Sequence, residues 1–216
     1  MPVKFRKIWI ADETFETAGV FDVNNDGIPD IVSGEFWYQG PDFRTKHQLG
    51  TVGKYGEYYD DFSTIAMDVN GDGYLDFITG GWWGETLRWR ENPGEKGGEW
   101  PEHVIARVGN VETTRAWDID GDGQREIVPN CPGGPLVAYK LTAPGTFAAY
   151  TLYAGEQGHG LGCGDIAGHG RMDIVLRHGW LEAPADPWHG AWTYHPFDFG
   201  LWDASVPMLV EDINGD

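Results

Sequence analysis

Two cysteines in 216 residues leave this chain without a disulfide framework. Cys131 and Cys163 show no metal-ligand spacing, and the plain expectation is two free thiols. Basic side chains are also scarce. Fifteen Lys and Arg against 34 Asp and Glu give a net charge of −19, a balance that argues against nucleic acid as a partner. No run approaches the ~20 apolar residues that a membrane-spanning helix needs. The opening Met1–Asp12 segment has only the four-residue apolar run Ile8–Ala11 and does not read as a signal peptide. Helical periodicity is missing too, whereas 32 Gly and 14% aromatics, with 11 Trp, suit short strands joined by tight turns.

What the chain does have is an aspartate-rich loop written four times, with a fifth begun. The copies span Asp22–Asp30, Asp68–Asp76, Asp118–Glu126 and Asp165–Asp173, and the sequence ends in Asp212-Ile-Asn-Gly-Asp216. Their first aspartates recur at intervals of 46, 50, 47 and 47 residues, a period that means one small structural unit repeated. Oxygen-bearing side chains stand at relative positions 1, 3, 5 and 9, with glycine at position 6 for the sharp turn. Calcium wants six to eight oxygens, and a loop offering them from alternate residues wraps it with little strain. An EF-hand would need a bidentate glutamate at position 12, where this chain has Ser33, Thr79 or Pro129. The flanks Ile31-Val32, Phe77-Ile78, Ile127-Val128 and Ile174-Val175 favour strands instead of helices.

The predicted ligands are Asp22, Asn24, Asp26 and Asp30 with the Ile28 carbonyl, then Asp68, Asn70, Asp72 and Asp76 with the Tyr74 carbonyl. Loop three offers Asp118, Asp120, Asp122 and Glu126 with Gln124 at position 7, its longer glutamate weakening or reshaping the site. Loop four has Ala167 and His169 where oxygens belong, so it is expected to hold no calcium; His169 as a zinc ligand lacks evident companions. The fifth copy contributes Asp212, Asn214 and Asp216. The first three loops hold ten acids, and three Ca²⁺ ions would bring the net charge to about −13.

These loops, their β flanks and their period resemble the FG-GAP or VCBS-type calcium repeats of β-propellers, including those of integrin α-chains. The resemblance implies an all-β fold, a β-propeller of four-stranded antiparallel blades, with about four and a half blades present. Repeat units are drawn at 4–40, 41–92, 99–142, 146–188 and 191–216, each opening on an outer strand: Phe5–Ile10, Thr45–Leu49, Glu102–Ile105, Ala149–Leu152 and Thr193–Phe197. Because the fifth loop stops before position 9, the chain reads as a C-terminally truncated piece of a longer propeller, seven-bladed by resemblance and monomeric when complete; a closed four- or five-bladed ring is the alternative.

In antiparallel blades successive connections alternate between the two ends. The face opposite the calcium loops therefore collects the ligand-binding candidates Trp37, Tyr58, Tyr59, Asp60, Asp61, Trp82, Trp83, Arg115 and Trp180. Trp rings stack on sugar rings while carboxylates accept hydroxyl protons, so a glycan or protein ligand is expected there. Trp37, Trp83 and Trp180 each lie seven residues after the last loop position, which equally suits packing between blades. His47, His103 and His195 recur in outer strands and suggest a structural hydrogen bond. His159 and His178, with Glu182, could form an acid–base group.

Three functions remain open. The first is a calcium-stabilised binding module, placed outside the cell or on its surface because such loops serve millimolar calcium. The second is a carbohydrate-active enzyme: some propellers with related repeats are polysaccharide lyases or sugar dehydratases, and Leu87–Gly94 resembles one such dehydratase. The third is a structural spacer in a larger surface protein.

Overall fold

The structure is a computed structural model and describes residues 2–200 and 208–214. Four four-stranded antiparallel sheets follow one another along the chain. The first comprises β1 (Gly19–Phe21), β2 (Asp30–Ser33), β3 (Phe36–Gln39) and β4 (Thr45–Gln48). A short hairpin, β5 (Lys54–Tyr55) and β6 (Tyr58–Tyr59), precedes the second sheet of β7 (Ile65–Met67), β8 (Asp76–Gly80), β9 (Thr86–Arg90) and β10 (Glu102–Arg107). The third holds β11 (Thr113–Trp117), β12 (Glu126–Asn130), β13 (Leu136–Ala143) and β14 (Thr146–Tyr153). The fourth holds β15 (Gly162–Gly164), β16 (Asp173–Leu176), β17 (Gly179–Glu182) and β18 (Thr193–Pro196). Among the described residues the one helical element is a 3-10 turn at Gly94–Lys96, and no helix is long and apolar enough to cross a membrane.

The order within each sheet follows the chain, so every outer strand closes the sheet before it. Thr45–Gln48 pairs with β3, and Glu102–Arg107 with β9. The sheets therefore run 19–48, 65–107, 113–153 and 162–196, which corrects boundaries placed at 40, 92, 142 and 188. The reason is local: a short turn returns the third strand onto its own sheet, and nothing in the outer-strand sequence announces which neighbour it joins. The strand expected over Phe5–Ile10 is absent. Among the described residues no strand edge pairs with it, and Phe5 and Trp9 lie exposed.

The core lies between successive sheets. Val32, Leu49, Phe77 and Trp100 fill the space between the first and second. Ile78, Leu87, Trp89, Ile127 and Tyr139 join the second to the third, and Val128, Leu136, Leu161, Ile174 and Leu181 the third to the fourth. Covered on both faces, β8, β9 and β12 are buried at every position, whereas β2 alternates buried and half-buried. First strands lie side by side at the inner edge. A Cβ on Gly19 would stand 2.8 Å from Thr64 Cγ2, and one on Gly162 would stand 2.9 Å from Met208 Cβ. Glycine there permits the close approach.

Candidate functional site

Each aspartate loop joins the first strand of a sheet to the second, so all four lie at one end. Their shape comes from left-handed backbone at positions 4 and 6. Asn25 and Gly27 have φ of 58° and 82°, Gly71 and Gly73 have 78° and 89°, and the pairs Gly121/Gly123 and Gly168/Gly170 behave alike. Glycine adopts this region freely and asparagine tolerates it. Position 4 was missed in the sequence, although its Asn-or-Gly restriction was there to read.

The turn directs side-chain oxygens inward. Asp22 accepts hydrogen bonds from the Asp26 and Gly27 amides at 3.1 and 2.8 Å, and Asp26 Oδ1 accepts one from the Ile28 amide at 2.8 Å. Loop two repeats this: Asp68 accepts from the Gly71, Asp72 and Gly73 amides, and Asp72 Oδ1 from the Tyr74 amide. The acid at position 9 has a second duty. Asp30, fully buried, accepts from Val23 N–H at 2.9 Å and Gly40 N–H at 2.8 Å; Asp76 does the same with Val69 and Asn92. It thus clamps the loop to the end of the third strand. Burial pushes the Asp76 carboxyl up to about 6, against the backbone N–H bonds of Asn92 and Val69 and with the help of the nearby Asp72 charge.

Among the described residues, no lysine or arginine forms an ion pair with an acid of loops one or two. Their donors are hard oxygens from Asp and Asn side chains. That set fits calcium. The position-9 carboxylates, each holding two backbone donors, retain lone pairs for an ion.

Loop three departs from this. Lys140, on β13, places its ammonium 2.5 Å from Asp120 Oδ2, 2.7 Å from Asp122 Oδ2 and 3.0 Å from Glu126 Oε1. The Trp188 indole N–H donates to the same Asp120 oxygen at 2.6 Å. Burial alone would lower the Lys140 pKa, but hydrogen bonds to Asp120, Asp122 and Glu126 outweigh it and raise the group above its ordinary value. Asp118 Oδ1 stays buried without a hydrogen bond. At the third calcium position expected from Asp118, Asp120, Asp122, Gln124 and Glu126, a side-chain cation stands among three of the acids, while Asp118, Asp120 and Glu126 still bring their carboxylates within 4.8 Å of one another. In the other sheets the residues at the place of Lys140 are Gln39, Glu91 and Glu182.

Loop four is also filled from within. The His169 ring lies between Asp165 and Asp173, with Nδ1 3.5 Å from Asp165 Oδ1 and Nε2 3.4 Å from Asp173 Oδ1. At the fifth copy Asn214 N–H donates to Asp212 Oδ1 at 3.2 Å, while Asp216 lies outside the described residues.

The opposite end gathers part of the expected ligand face. Tyr58 is 47% exposed, and Trp83 stacks on Tyr55 with centroids 4.9 Å apart and planes at 9°. Tyr58 and Phe62 lean on the same indole. Tyr55 was missed by sequence reasoning, since only the hairpin turn of β5 and β6 brings it there. Asp60 is buried: it accepts from the Trp83 and Gly84 amides at 2.8 and 3.0 Å and faces Arg88. Asp61 is buried as well, with Oδ1 lacking a hydrogen bond; desolvation pushes its pKa up to about 7. Tyr59 packs on Phe15 and takes Lys54 over its ring. Trp82 stacks on His159, whose Nδ1 is 3.9 Å from Glu112. Arg115 lies on β11, beside Thr64 and Trp117 along the first strands.

Trp37 and Trp180 belong elsewhere. Each stacks on an outer-strand histidine, Trp37 on His47 at 4.0 Å and Trp180 on His195 at 4.2 Å, and Trp89 does the same with His103 at 4.5 Å. Each histidine also bonds the residue two places after its tryptophan: Gln39, Glu182 and Glu91. The spatial counterpart of Trp37 is thus Trp89 and not Trp83. The acid–base group also separates. His178 lies at the β16–β17 turn, and Glu182 ends β17 about 13 Å further along at the loop end, bound to His195. Cys131 and Cys163 are both free.

Residues 68–128 match the family model described as FG-GAP-like repeat, a stretch that takes in the second and third aspartate loops. No curated protein sequence matches the chain. Among solved structures, the chain is similar to an Agrocybe aegerita lectin described as recognising non-reducing terminal N-acetylglucosamine. The identity is 17% and the TM-score 0.54, over 85% of this chain and 53% of the lectin chain. It is also similar to the V. cholerae biofilm matrix protein Bap1, at 15% identity and a TM-score of 0.43, over 85% of this chain and 31% of that one. The chain thus spans about half of the lectin and less of the matrix protein.

Proposed function

We propose that this chain forms part of a calcium-stabilised β-propeller that binds glycans at the end opposite its aspartate loops, in an extracellular or cell-surface setting where calcium is plentiful. The carrying observation is the Tyr55–Trp83 stack with Tyr58 alongside, three part-exposed rings on a hairpin and a turn that Asp60 pins together. Flat ring faces at the surface are what a pyranose stacks upon, and the pinned turn holds them without a further ordering cost. The likeness in fold to a lectin supports this reading. Calcium in loops one and two would fix the connections at the far end of each sheet. The distance between His178 and Glu182, at opposite ends of β17, weighs against an acid–base group that uses both.

Calorimetric titration with N-acetylglucosamine-terminated oligosaccharides, in calcium, tests the proposal. Binding is expected to weaken about tenfold or more in Trp83→Ala and in Tyr55→Ala, and to persist in His159→Ala. Folded protein that binds no glycan on a broad panel would overturn it, and selective capture of a protein ligand at the same rings would replace glycan with protein.

A further inference from the structure

Loop four carries donors of another chemical kind from loops one and two. We propose that it is a site for a borderline divalent cation of the zinc class, ligated by His169 Nε2, Asp173 Oδ1 and Glu182 Oε1. Position 5 turns its side chain inward in the four complete loops, and here that side chain is an imidazole. Its Nε2 is buried and makes no hydrogen bond, yet it faces two carboxylates, Asp173 Oδ1 at 3.4 Å and Glu182 Oε1 at 3.9 Å. Those distances are too long for good hydrogen bonds but close to the spacing between ligands of a tetrahedral zinc. Zinc–ligand bonds of about 2.0–2.2 Å place donor atoms roughly 3.3–3.6 Å apart. Calcium is a poor fit, because it needs six or more oxygens and this loop has Ala167 at position 3 and nitrogen at position 5.

Each proposed ligand is held from behind, as metal ligands commonly are. Asp173 Oδ2 accepts from the Ile166 and Ala167 amides at 2.9 Å, and its Oδ1 from the Ala183 amide at 2.8 Å. Glu182 Oε2 bonds His195 Nε2 at 2.8 Å, and His195 is in turn stacked on Trp180. For His169 the partner is Asp165, whose Oδ1 lies 3.5 Å from Nδ1. A metal on Nε2 requires the neutral ring to carry its proton on Nδ1, where Asp165 accepts it. The 3.3 Å bond that Nδ1 takes from the Arg171 amide is then given up. A fourth position is left for water or an outside ligand. Glu182, at the loop end of β17, completes the donor set.

Co²⁺ and Zn²⁺ are the probes, added to full chain already saturated with Ca²⁺ so that loops one and two do not compete. One equivalent of Co²⁺ is expected to give the intense visible absorption of a low-coordinate nitrogen–oxygen site, and one equivalent of Zn²⁺ to displace it and raise the melting temperature. His169→Ala should abolish the colour and the thermal shift. His169→Asn keeps a polar inward side chain, guards against mere misfolding, and should do the same. Asp165→Asn should weaken binding about 10–100-fold without changing the stoichiometry. Folded protein with no cobalt spectrum overturns the proposal. So does one equivalent that survives His169→Asn, which would place the metal on another histidine such as His189, beside Asp186 on the surface.

Discussion

Loops one and two and loops three and four have nearly the same backbone, and they differ in what lies against their acids. All four use left-handed residues at positions 4 and 6 and a buried position-9 acid at the base. In the first pair the acids are answered by backbone N–H groups and by the side-chain amides of Asn24 and Asn70, which donate to Asp26 and Asp72. In the second pair a side chain enters the centre, the Lys140 ammonium in one and the His169 ring in the other. Consistently, the three-residue groups with donor atoms all within 4.8 Å are Asp118/Asp120/Glu126 and Asp165/His169/Asp173, none of them in loops one or two among the described residues. In loop three the close acids surround the Lys140 ammonium, and in loop four they flank the His169 ring. The repeat therefore specifies a turn, and the side chain that enters that turn differs from loop to loop.

The sharpest way to break this comparison is to remove calcium. If only the first pair depends on it, chelation should cost about 3–4 kcal/mol per ion for sites held at 100–1,000 times Kd, a fall of many degrees in melting temperature. Calorimetry of the untreated chain should count two calcium ions and not three. Replacing Asp26 and Asp72 together with Ala should reproduce the chelated state and leave nothing further for EDTA to remove.

Next in size is Lys140→Gln, which would make loop three resemble its neighbours. Without calcium, three acids would lose their common partner, at a cost of about 3 kcal/mol. With calcium, the stoichiometry should rise from two to three and most of the loss should return. A variant that melts like the parent in EDTA would show that the lysine contributes no net stability there.

How much of this was legible follows the distance along the chain between partners. The loop positions, the flanking strands and the period lie within nine or about 47 residues of a repeated pattern, and they could be read directly. Lys140 lies 14 to 20 residues from the acids it meets, on a strand where nothing sets it apart from any exposed lysine. The count of seven that selected Trp83 failed because the turn from β8 to β9 runs from Gly81 to Glu85, whereas only Gly34 and Glu35 join β2 to β3. The longer turn moves the equivalent tryptophan to Trp89. Glu182 was misplaced for a similar reason: after the β16–β17 turn the strand carries its residues back to the loop end.

A smaller effect separates a buried acid that is hydrogen-bonded to a cation from one that is not. Glu126 has Lys140 at 3.0 Å, whereas Asp61 has an oxygen with no hydrogen bond and a pKa raised to about 7, chiefly by burial. The Glu16 charge raises it further, and Arg88 and Arg90 offset part of this. With the folded value above the unfolded one, the unfolded chain gives up its proton first. Stability attributable to Asp61 is therefore full below about pH 4 and is lost as pH rises through 7. Asp61→Asn should flatten that fall and leave the protein about 2 kcal/mol more stable than the parent at pH 8, measured by urea unfolding in chelator at several pH values.

The smallest effect concerns the outer strands, where the third sheet again departs from the others. Sheets one, two and four each stack a histidine on a tryptophan and bond it to Gln39, Glu91 or Glu182. Sheet three pairs Ala138 with Tyr150 instead, and Tyr150 packs on Trp188 from the following segment. The substitution is coherent. With Lys140 standing where the Gln or Glu acceptor would be, an imidazole opposite would face a cation and lose its partner, whereas Tyr150 supports the Trp188 ring that covers Lys140 at 5.3 Å. The His103 pair is partly exposed, so His103→Ala should cost only about 0.5–1 kcal/mol. Glu91→Lys, by contrast, imports the loop-three cation into sheet two. It should lower calcium affinity at Asp68–Asp76 while His103 loses its acceptor, and Glu91→Lys combined with His103→Tyr should recover stability but not calcium binding. Unchanged calcium affinity in Glu91→Lys would mean that the facing strand residue does not select the cation, and the contrast between the two pairs of loops would then lie within the loops themselves.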